Sequence, residues 1–397
     1  MNKIIRDPIH KDIELTEAEL KILDTPQMQR LRRIKQNGLA YIVYPSMNVT
    51  RFEHSLGVMY LAGKVARHLN LSNDDAQDLR LAGLLHDTGH LPFSHLLKIK
   101  NFSHEKNSAE LIKHTEITDI LNFYGINPDK IVDLIFGIGV YGKIISSDID
   151  VDKMDYLIRD SYYAGVAYGI IDIDRIIGCI KFYEKNLVID EGGLEAVEKL
   201  LIARNMMHQT VYRHHTKRIA ESMFSRAYDY AKENLTIEKL SEMDDCDLLN
   251  FLENKCSEGV ASHYIKEILT RLKNRNLFKR FYVAKYEETG EIFCRDVRED
   301  KKKFECKICD ALGIPYDYLL ADLPEVRLKE YDAMIYISNH NKNIYKIDEI
   351  SELANALKQT EISRLTFCIY VDGKYTGRQK DFCPEKFITF KQRKLEI

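Results

Sequence analysis

Seven of the thirteen histidines in this 397-residue chain fall between positions 54 and 114, interleaved with acids on segments of helical periodicity. From about 53 to 69, His54, Val58, Leu61 and Val65 recur at helical spacing, so one face carries an imidazole inward. A second helix is expected over roughly 73–87, opened by Ser72 or Asn73 and apolar at Leu79, Ala82, Leu84 and Leu85. It ends at His86-Asp87, before Gly89. Between 150 and 164, Asp152, Tyr156 and Asp160 lie at i, i+4 and i+8, a stripe that points all three at one cavity. Imidazoles buried without acid or metal partners would each leave polar groups unsatisfied, at about 1–3 kcal/mol. Such a chain is expected to pack helices around a polar centre. Two histidines and two aspartates, His54, His86, Asp87 and Asp152, are a ligand set for a borderline-hard divalent metal, whereas a structural zinc or an iron-sulfur cluster calls for thiolates.

Composition narrows the class. The formal net charge of -3 gives no global pull toward nucleic acid or membrane, so an anionic substrate must be met by a local cluster of bases. With 45% apolar residues the chain can bury a large core. No run approaches the roughly 18 apolar residues of a membrane span, and the N-terminus lacks a secretory apolar core, so a cytoplasmic protein is expected. The eight cysteines are scattered, which suits a reducing compartment. Cys306 and Cys309 form a lone CxxC whose spacing also fits one helix turn.

A mainly α fold is expected, with the first domain over 1–235 (metal core about 50–165, continuing to a helix at about 194–230). Residues 236–397 read as helical and then α+β, a smaller region for oligomerisation or regulation. Its strands are expected at Phe278–Tyr286, Met334–Ile337 and Leu365–Val371, with a helix between the last two. Asp24-Thr25-Pro26 reads as a cap followed by a first-turn proline, and Leu31 and Ile34 continue a helical stripe. Tyr41–Tyr44 reads as a strand or extended loop ended by Pro45. The charged runs Arg298–Lys303 and Lys391–Lys394 read as solvated faces rather than nucleic-acid contacts.

An ordered series of motifs runs from about residue 3 to 217: Asp7-Pro8-Ile9-His10, Asp24-Thr25-Pro26-Gln27-Met28-Gln29-Arg30-Leu31-Arg32, Arg51-Phe52-Glu53-His54, His86-Asp87-Thr88-Gly89-His90, Pro92-Phe93-Ser94-His95, His104-Glu105 and Asp150-Val151-Asp152-Lys153. In these the chain resembles the HD-domain phosphohydrolases, specifically the deoxynucleoside triphosphate triphosphohydrolases, whose mammalian member carries an added sterile-alpha-motif domain not found in these 397 residues. The resemblance implies an HD helical fold and hydrolysis of dNTPs to deoxynucleoside and tripolyphosphate. It places a divalent ion (Mn²⁺, Mg²⁺, Fe²⁺, Co²⁺, Ni²⁺ or Zn²⁺) on His54, His86, Asp87 and Asp152, with a second, transient ion near His90, His104 and Glu105 as a further hypothesis. His95 falls on the family's catalytic histidine, and His104 and Glu105 on a pair that orients it or the phosphates. Arg51, His90, Lys153 and Arg204 fall on phosphate contacts. Gln36, Tyr156, Asp160 and Tyr212 surround the deoxyribose, with Tyr212 placed to crowd a 2′-hydroxyl.

Lys3, Asp24, Gln29 and Arg32 match positions that bind an activating guanine nucleotide, GTP or dGTP, at a subunit interface, which implies a homodimer or homotetramer. The alternative at these positions is structural: Asp24 caps a helix and Arg32 makes an ordinary ion pair. Lys98 stands where relatives commonly carry an acid, and Leu91, Asn37 and Arg213 also depart from the family pattern. Two other readings share the metal site: an HD phosphatase or phosphodiesterase acting on another nucleotide, and a catalytically weak nucleotide sensor.

Overall fold

A computed structural model of the chain describes residues 3–97, 99–255, 260–289, 291–323, 333–337 and 343–390. Lys98 and the run Lys391–Lys394 lie outside the described residues. The order begins with a hairpin of β1 (Lys3–Asp7) and β2 (Lys11–Leu15), followed by α1 (Glu17–Leu23), α2 (Pro26–Arg30), α3 (Arg51–His68) and α4 (Asn73–Leu85). Then come α5 (His104–His114), α6 (Glu116–Phe123), α7 (Pro128–Ile135), α8 (Gly139–Ile145) and α9 (Val151–Ala164). After α10 (Ile173–Cys179), β3 (Ile180–Tyr183) and β4 (Asn186–Asp190), α11 (Leu194–Met207) runs into a short π-helical segment at His208–Tyr212. The fold is mainly α with small sheets, as expected.

The chain forms two compact units that are not consecutive in sequence. The first comprises Met1–Tyr212, Leu235–Leu249 and Glu330–Asn355. Its centre is the pair α3 and α4, whose inward faces bury Val58, Met59, Leu61, Ala62 and Val65 against Leu81, Ala82, Leu84 and Leu85. Gly83 permits the approach: a Cβ there would lie 3.1 Å from the Met59 backbone nitrogen. A four-stranded sheet joins β3, β4, the strand Met334–Ile337 and the strand Asn343–Lys346 in that order, with β4 parallel to Met334–Ile337. The second unit, Arg213–Asn234, Asn250–Lys329 and Ala356–Ile397, holds a three-stranded antiparallel sheet with Thr366–Val371 in the middle. Phe281, Ile308, Phe367 and Ile369 form its core. The expected strand near 278–286 is Lys279–Lys285, and the expected helix between the last two strands is Glu352–Ser363.

Several local expectations are corrected. Tyr41–Tyr44 is no strand: Gly38–Ile42 is a 3₁₀ turn, and Val43 and Tyr44 donate to the Ala40 carbonyl, so the backbone is satisfied locally. As expected of Asp24-Thr25-Pro26, Thr25 is the N-cap of α2 with Pro26 in its first turn, and Asp24 ends α1 as its C-cap. Leu31 is in a 3₁₀ turn and Ile34 is extended, so the helical stripe stops at Arg30. The mainly helical N-terminal stretch also contains the β1–β2 and β3–β4 hairpins. Cys306 and Cys309 share the helix Lys301–Leu312, both as free thiols, and burial pushes the Cys309 thiol up to about 12. Arg298, Lys302 and Lys303 are exposed, as a solvated face requires.

Candidate metal centre

Each ligand sits where a helix begins or ends. At the start of α3, Glu53 accepts from the Thr50 amide in a capping box, which fixes the first turn and with it Arg51 and His54. At the end of α4, the Thr88 hydroxyl donates to the Leu85 carbonyl and the Ser108 hydroxyl to the His86 carbonyl. Gly89 lets α5 approach, since a Cβ there would lie 2.2 Å from the Ser108 nitrogen and 2.3 Å from the His104 oxygen. At the start of α9, Asp150 caps by accepting from the Lys153 amide, leaving Asp152 in the first turn.

Ligand atoms of His54, His86 and Asp87 all lie within 4.8 Å of one another. Asp152 joins them, its Oδ1 being 2.9 Å from His54 Nε2 and 3.8 Å from His86 Nε2. The tautomers follow from the partners. His86 Nδ1 is 2.8 Å from the Gly83 carbonyl, which only accepts, so Nδ1 carries the proton and Nε2 offers a lone pair. That Nε2 is buried without a hydrogen-bond partner, the signature of an atom awaiting a ligand. His54 Nδ1 is likewise held by Asp155 at 2.8 Å, which turns its Nε2 toward the same centre. The residues therefore fit a divalent metal. Burial alone would lower the His54 pKa, but hydrogen bonds to Asp152 and Asp155 outweigh it and raise it to about 10. Burial opposes ionisation of Asp87 too, yet Arg51 and the neighbouring histidines hold that carboxyl well below the usual range.

A second group flanks the first. Asp87, His90 and His104 also bring ligand atoms within 4.8 Å, and the His90 and His104 rings stack at 4.0 Å. Burial and the nearby Arg51 hold the His90 imidazole well below its ordinary value. His95 is exposed, its ring 4.9 Å from that of His90 and 5.8 Å from that of His104. Glu105 faces His104 at 3.4 Å. Arg51 is buried and bridges Asp87 and the Ser94 hydroxyl.

Along α9, Tyr156 and Asp160 follow Asp152 on one stripe, and the Tyr212 hydroxyl donates to Asp160 at 2.8 Å. Burial pushes the Asp160 carboxyl up to about 6, with Asn37 and Tyr212 opposing it. Lys153 reaches Asp150 at 2.6 Å and the Ser147 carbonyl at 2.7 Å. Gln36 and Arg204 are half-buried. Among the four positions matched to an activator, Gln29 donates to the Leu23 carbonyl at 2.7 Å and accepts from Arg32 at 3.0 Å, while Arg32 stacks over Phe52. Asp24 and Lys3 are exposed, the latter on β1 opposite Leu15.

Residues 51–160 match the family model of the HD domain, and residues 171–394 that of the HD associated region. The chain belongs to the HD-domain family. An uncharacterized protein of Methanocaldococcus jannaschii is 39% identical over 378 residues, covering 93% of this chain and 79% of that one. The deoxynucleoside triphosphate triphosphohydrolase SAMHD1 of Homo sapiens is 30% identical over 419 residues, covering 89% of this chain and 64% of the human protein. A solved structure of a hypothetical protein from Aquifex aeolicus superposes with a TM-score of 0.73 at 30% identity, covering 96% of this chain and all of that one. Membership of the HD family together with the His/Asp cluster makes this a metal-dependent hydrolase. No described helix is long and apolar enough to cross a membrane.

The HD site has supports that sequence reading did not single out. Asp155 accepts four side-chain hydrogen bonds, from His10 (2.7 Å), His54 (2.8 Å) and two nitrogens of Arg159 (2.8 and 2.9 Å). Arg159 also reaches Asp7, which folds the hairpin tip by accepting from the Ile9 and His10 amides. Asp155 lies three residues after Asp152, so the helical spacing that marked Asp152, Tyr156 and Asp160 puts it beside that stripe.

Proposed function

We propose that this HD protein hydrolyses dNTPs to deoxynucleoside and tripolyphosphate. The supporting observation is the stripe on α9: Asp152 at the metal centre, then Tyr156, then Asp160 hydrogen-bonded to Tyr212. Polar groups one to two helical turns along α9 from the ligand Asp152 suit the sugar of a nucleotide whose α-phosphate lies over that centre. The likeness to SAMHD1 supports the same substrate class.

Arg51 and Arg204, with His90 and Lys153, would meet phosphate oxygens and spread the charge developing in an in-line displacement. His54, His86, Asp87 and Asp152 would hold a divalent metal, which would supply Lewis acidity for the α-phosphoryl group and the attacking water. The bond to the 5′ oxygen breaks as the water oxygen bonds to phosphorus, and the departing oxygen needs a proton. His95 would donate it, with His104 and Glu105 holding its surroundings. Tyr212 would exclude a 2′-hydroxyl by bulk, anchored by Asp160. Gln36 would face the sugar from the opposite loop.

Lys153 favours one further reading. Its ammonium is committed to Asp150 and the Ser147 carbonyl, so part of the expected triphosphate cluster is already neutralised. A phosphatase or phosphodiesterase acting on a less charged ester would tolerate that arrangement. Incubating the protein with each dNTP and rNTP under Mn²⁺, Mg²⁺ or Co²⁺, with and without GTP, separates these readings: deoxynucleoside and tripolyphosphate support the proposal, and monophosphate or orthophosphate points to the other.

Regulation by GTP or dGTP at Lys3, Asp24, Gln29 and Arg32 belongs to the same proposal, with a homodimer or homotetramer as the responding assembly. The exposed Asp24 carboxylate would pair with a guanine edge, and the exposed Arg32, eight positions later, would present a cation to the base or a phosphate.

A further inference from the structure

The short segment Met243–Asp245, far from the HD match in sequence, reaches into the catalytic loops. Arg30 donates to the carbonyls of Thr88 and His90 and also to that of Met243, each at 2.8 Å. Arg33 pairs with Asp244. Asp245 is buried and uses each carboxylate oxygen separately: Oδ1 accepts from the Phe93 amide at 2.6 Å, and Oδ2 from the Lys35 amide at 3.0 Å.

Both amides belong to segments that carry residues of the proposed reaction, His95 and Gln36. Phe93 and Ser94 have φ of 57° and 56°, two successive left-handed residues immediately before His95. Neither is glycine, so the turn persists only if its surroundings hold it there. Lys35 precedes Gln36. Its carbonyl accepts from the Ser94 hydroxyl at 2.8 Å, Ser94 in turn accepts from Arg51 Nε at 2.8 Å, and Arg51 pairs with Asp87. One carboxylate thus fixes the strained turn directly and the Lys35–Gln36 loop directly, and through Lys35 and Ser94 it reaches the guanidinium beside the metal ligand.

We propose that Asp245, supplied by the HD associated region, is a positioning residue of the hydrolytic site: it holds the His95 turn and the Lys35–Gln36 loop in their working positions. The inference rests on reading His95 as the proton donor. Asp245→Ala removes both acceptors, whereas Asp245→Asn keeps one oxygen and one of the two bonds.

The test uses the full chain loaded with Mn²⁺ and measures kcat and KM on the dNTPs, manganese content, and amide hydrogen exchange. Asp245→Ala is expected to lower kcat roughly 100-fold with KM little changed, as displacement of a reacting group by about 1 Å does, and Asp245→Asn to recover part of the loss. Manganese content stays at the wild-type level, and exchange rises in 34–37 and 91–97 alone. Retention of kcat to within about twofold in Asp245→Ala would overturn the proposal. So would a loss of kcat that tracks a loss of manganese or a rise in exchange across the whole chain, which would make Asp245 a general fold support. A wild-type chain that turns over no dNTP sinks the proposed substrate. Exchange then decides the positioning role alone: the two segments loosening together with manganese retained upholds it, and unchanged exchange in either refutes it.

Discussion

Gly57→Ala is a sharp test of how the metal centre is supported. Gly57 lies on the α3 face that meets α9, and a Cβ there would fall 1.9 Å from Asp155 Oδ1 and 2.4 Å from Arg159 Nη2. To move from 1.9 Å to a 3.0 Å approach the carboxylate oxygen must recede by about 1.1 Å. It cannot do so freely. Oδ1 is bonded to His10 and Arg159, and Oδ2 to His54 and Arg159, all between 2.7 and 2.9 Å. Overpacking costs about 1–3 kcal/mol, and losing one charge-assisted hydrogen bond adds about 1.5–3 kcal/mol. The expected destabilisation is therefore about 2.5–6 kcal/mol. Because Asp155 orients His54, manganese affinity should fall by about 10- to 100-fold as well. Urea unfolding of the metal-free protein measures the first effect and calorimetric titration with Mn²⁺ the second. A Gly57→Ala chain with the wild-type urea midpoint and wild-type manganese affinity would refute the claim that Asp155 is locked in place.

Three further outcomes are expected. Tyr212→Ala should raise rNTP turnover relative to dNTP turnover by about tenfold or more, read from paired kcat/KM values, and an unchanged ratio would remove Tyr212 from sugar selection. Burial raises the Asp160 pKa from 3.8 to about 6, so the folded chain keeps a proton that the unfolded chain releases. That contribution to stability is complete below about pH 4 and is lost as the pH rises through about 6, up to about 3 kcal/mol in all. Denaturation of the metal-free protein across that range should show a shallower decline in Asp160→Asn than in wild type; equal slopes would contradict the assignment. Asp24→Ala should leave the exposed C-cap's stability within about 0.5 kcal/mol while abolishing any rise in dNTP turnover on adding GTP, and an intact GTP response would exclude Asp24 from nucleotide activation.

The helices were legible because burial of one face imposes a period that polar interruptions do not hide. The stripe from His54 to Val65 became α3, Ser72 capped α4, and Asp152 to Asp160 became one face of α9. The ligand cluster was legible for the same reason, since imidazoles on apolar faces must converge on partners. What escaped was set by contacts distant in sequence. The 3₁₀ turn at Tyr41 resembles a strand in composition and differs only in where its backbone bonds go. Strand Met334–Ile337 was visible as a strand, but its pairing with β4, 146 positions earlier in the Ile189–Ile335 register, was not. Asp155 and Asp245 share the appearance of ordinary helix acids, and only the fold shows the first beneath His54 and the second beneath the His95 turn.

The central claim is attack by water at the α-phosphorus over the His54, His86, Asp87 and Asp152 centre. Hydrolysis of a dNTP by the manganese-loaded chain in water enriched in heavy oxygen tests it most directly, with mass analysis of both products and an Asp87→Ala control. Label is expected in the tripolyphosphate and none in the deoxynucleoside, with no product from Asp87→Ala. Label in the deoxynucleoside 5′-hydroxyl, or in released orthophosphate, would contradict it.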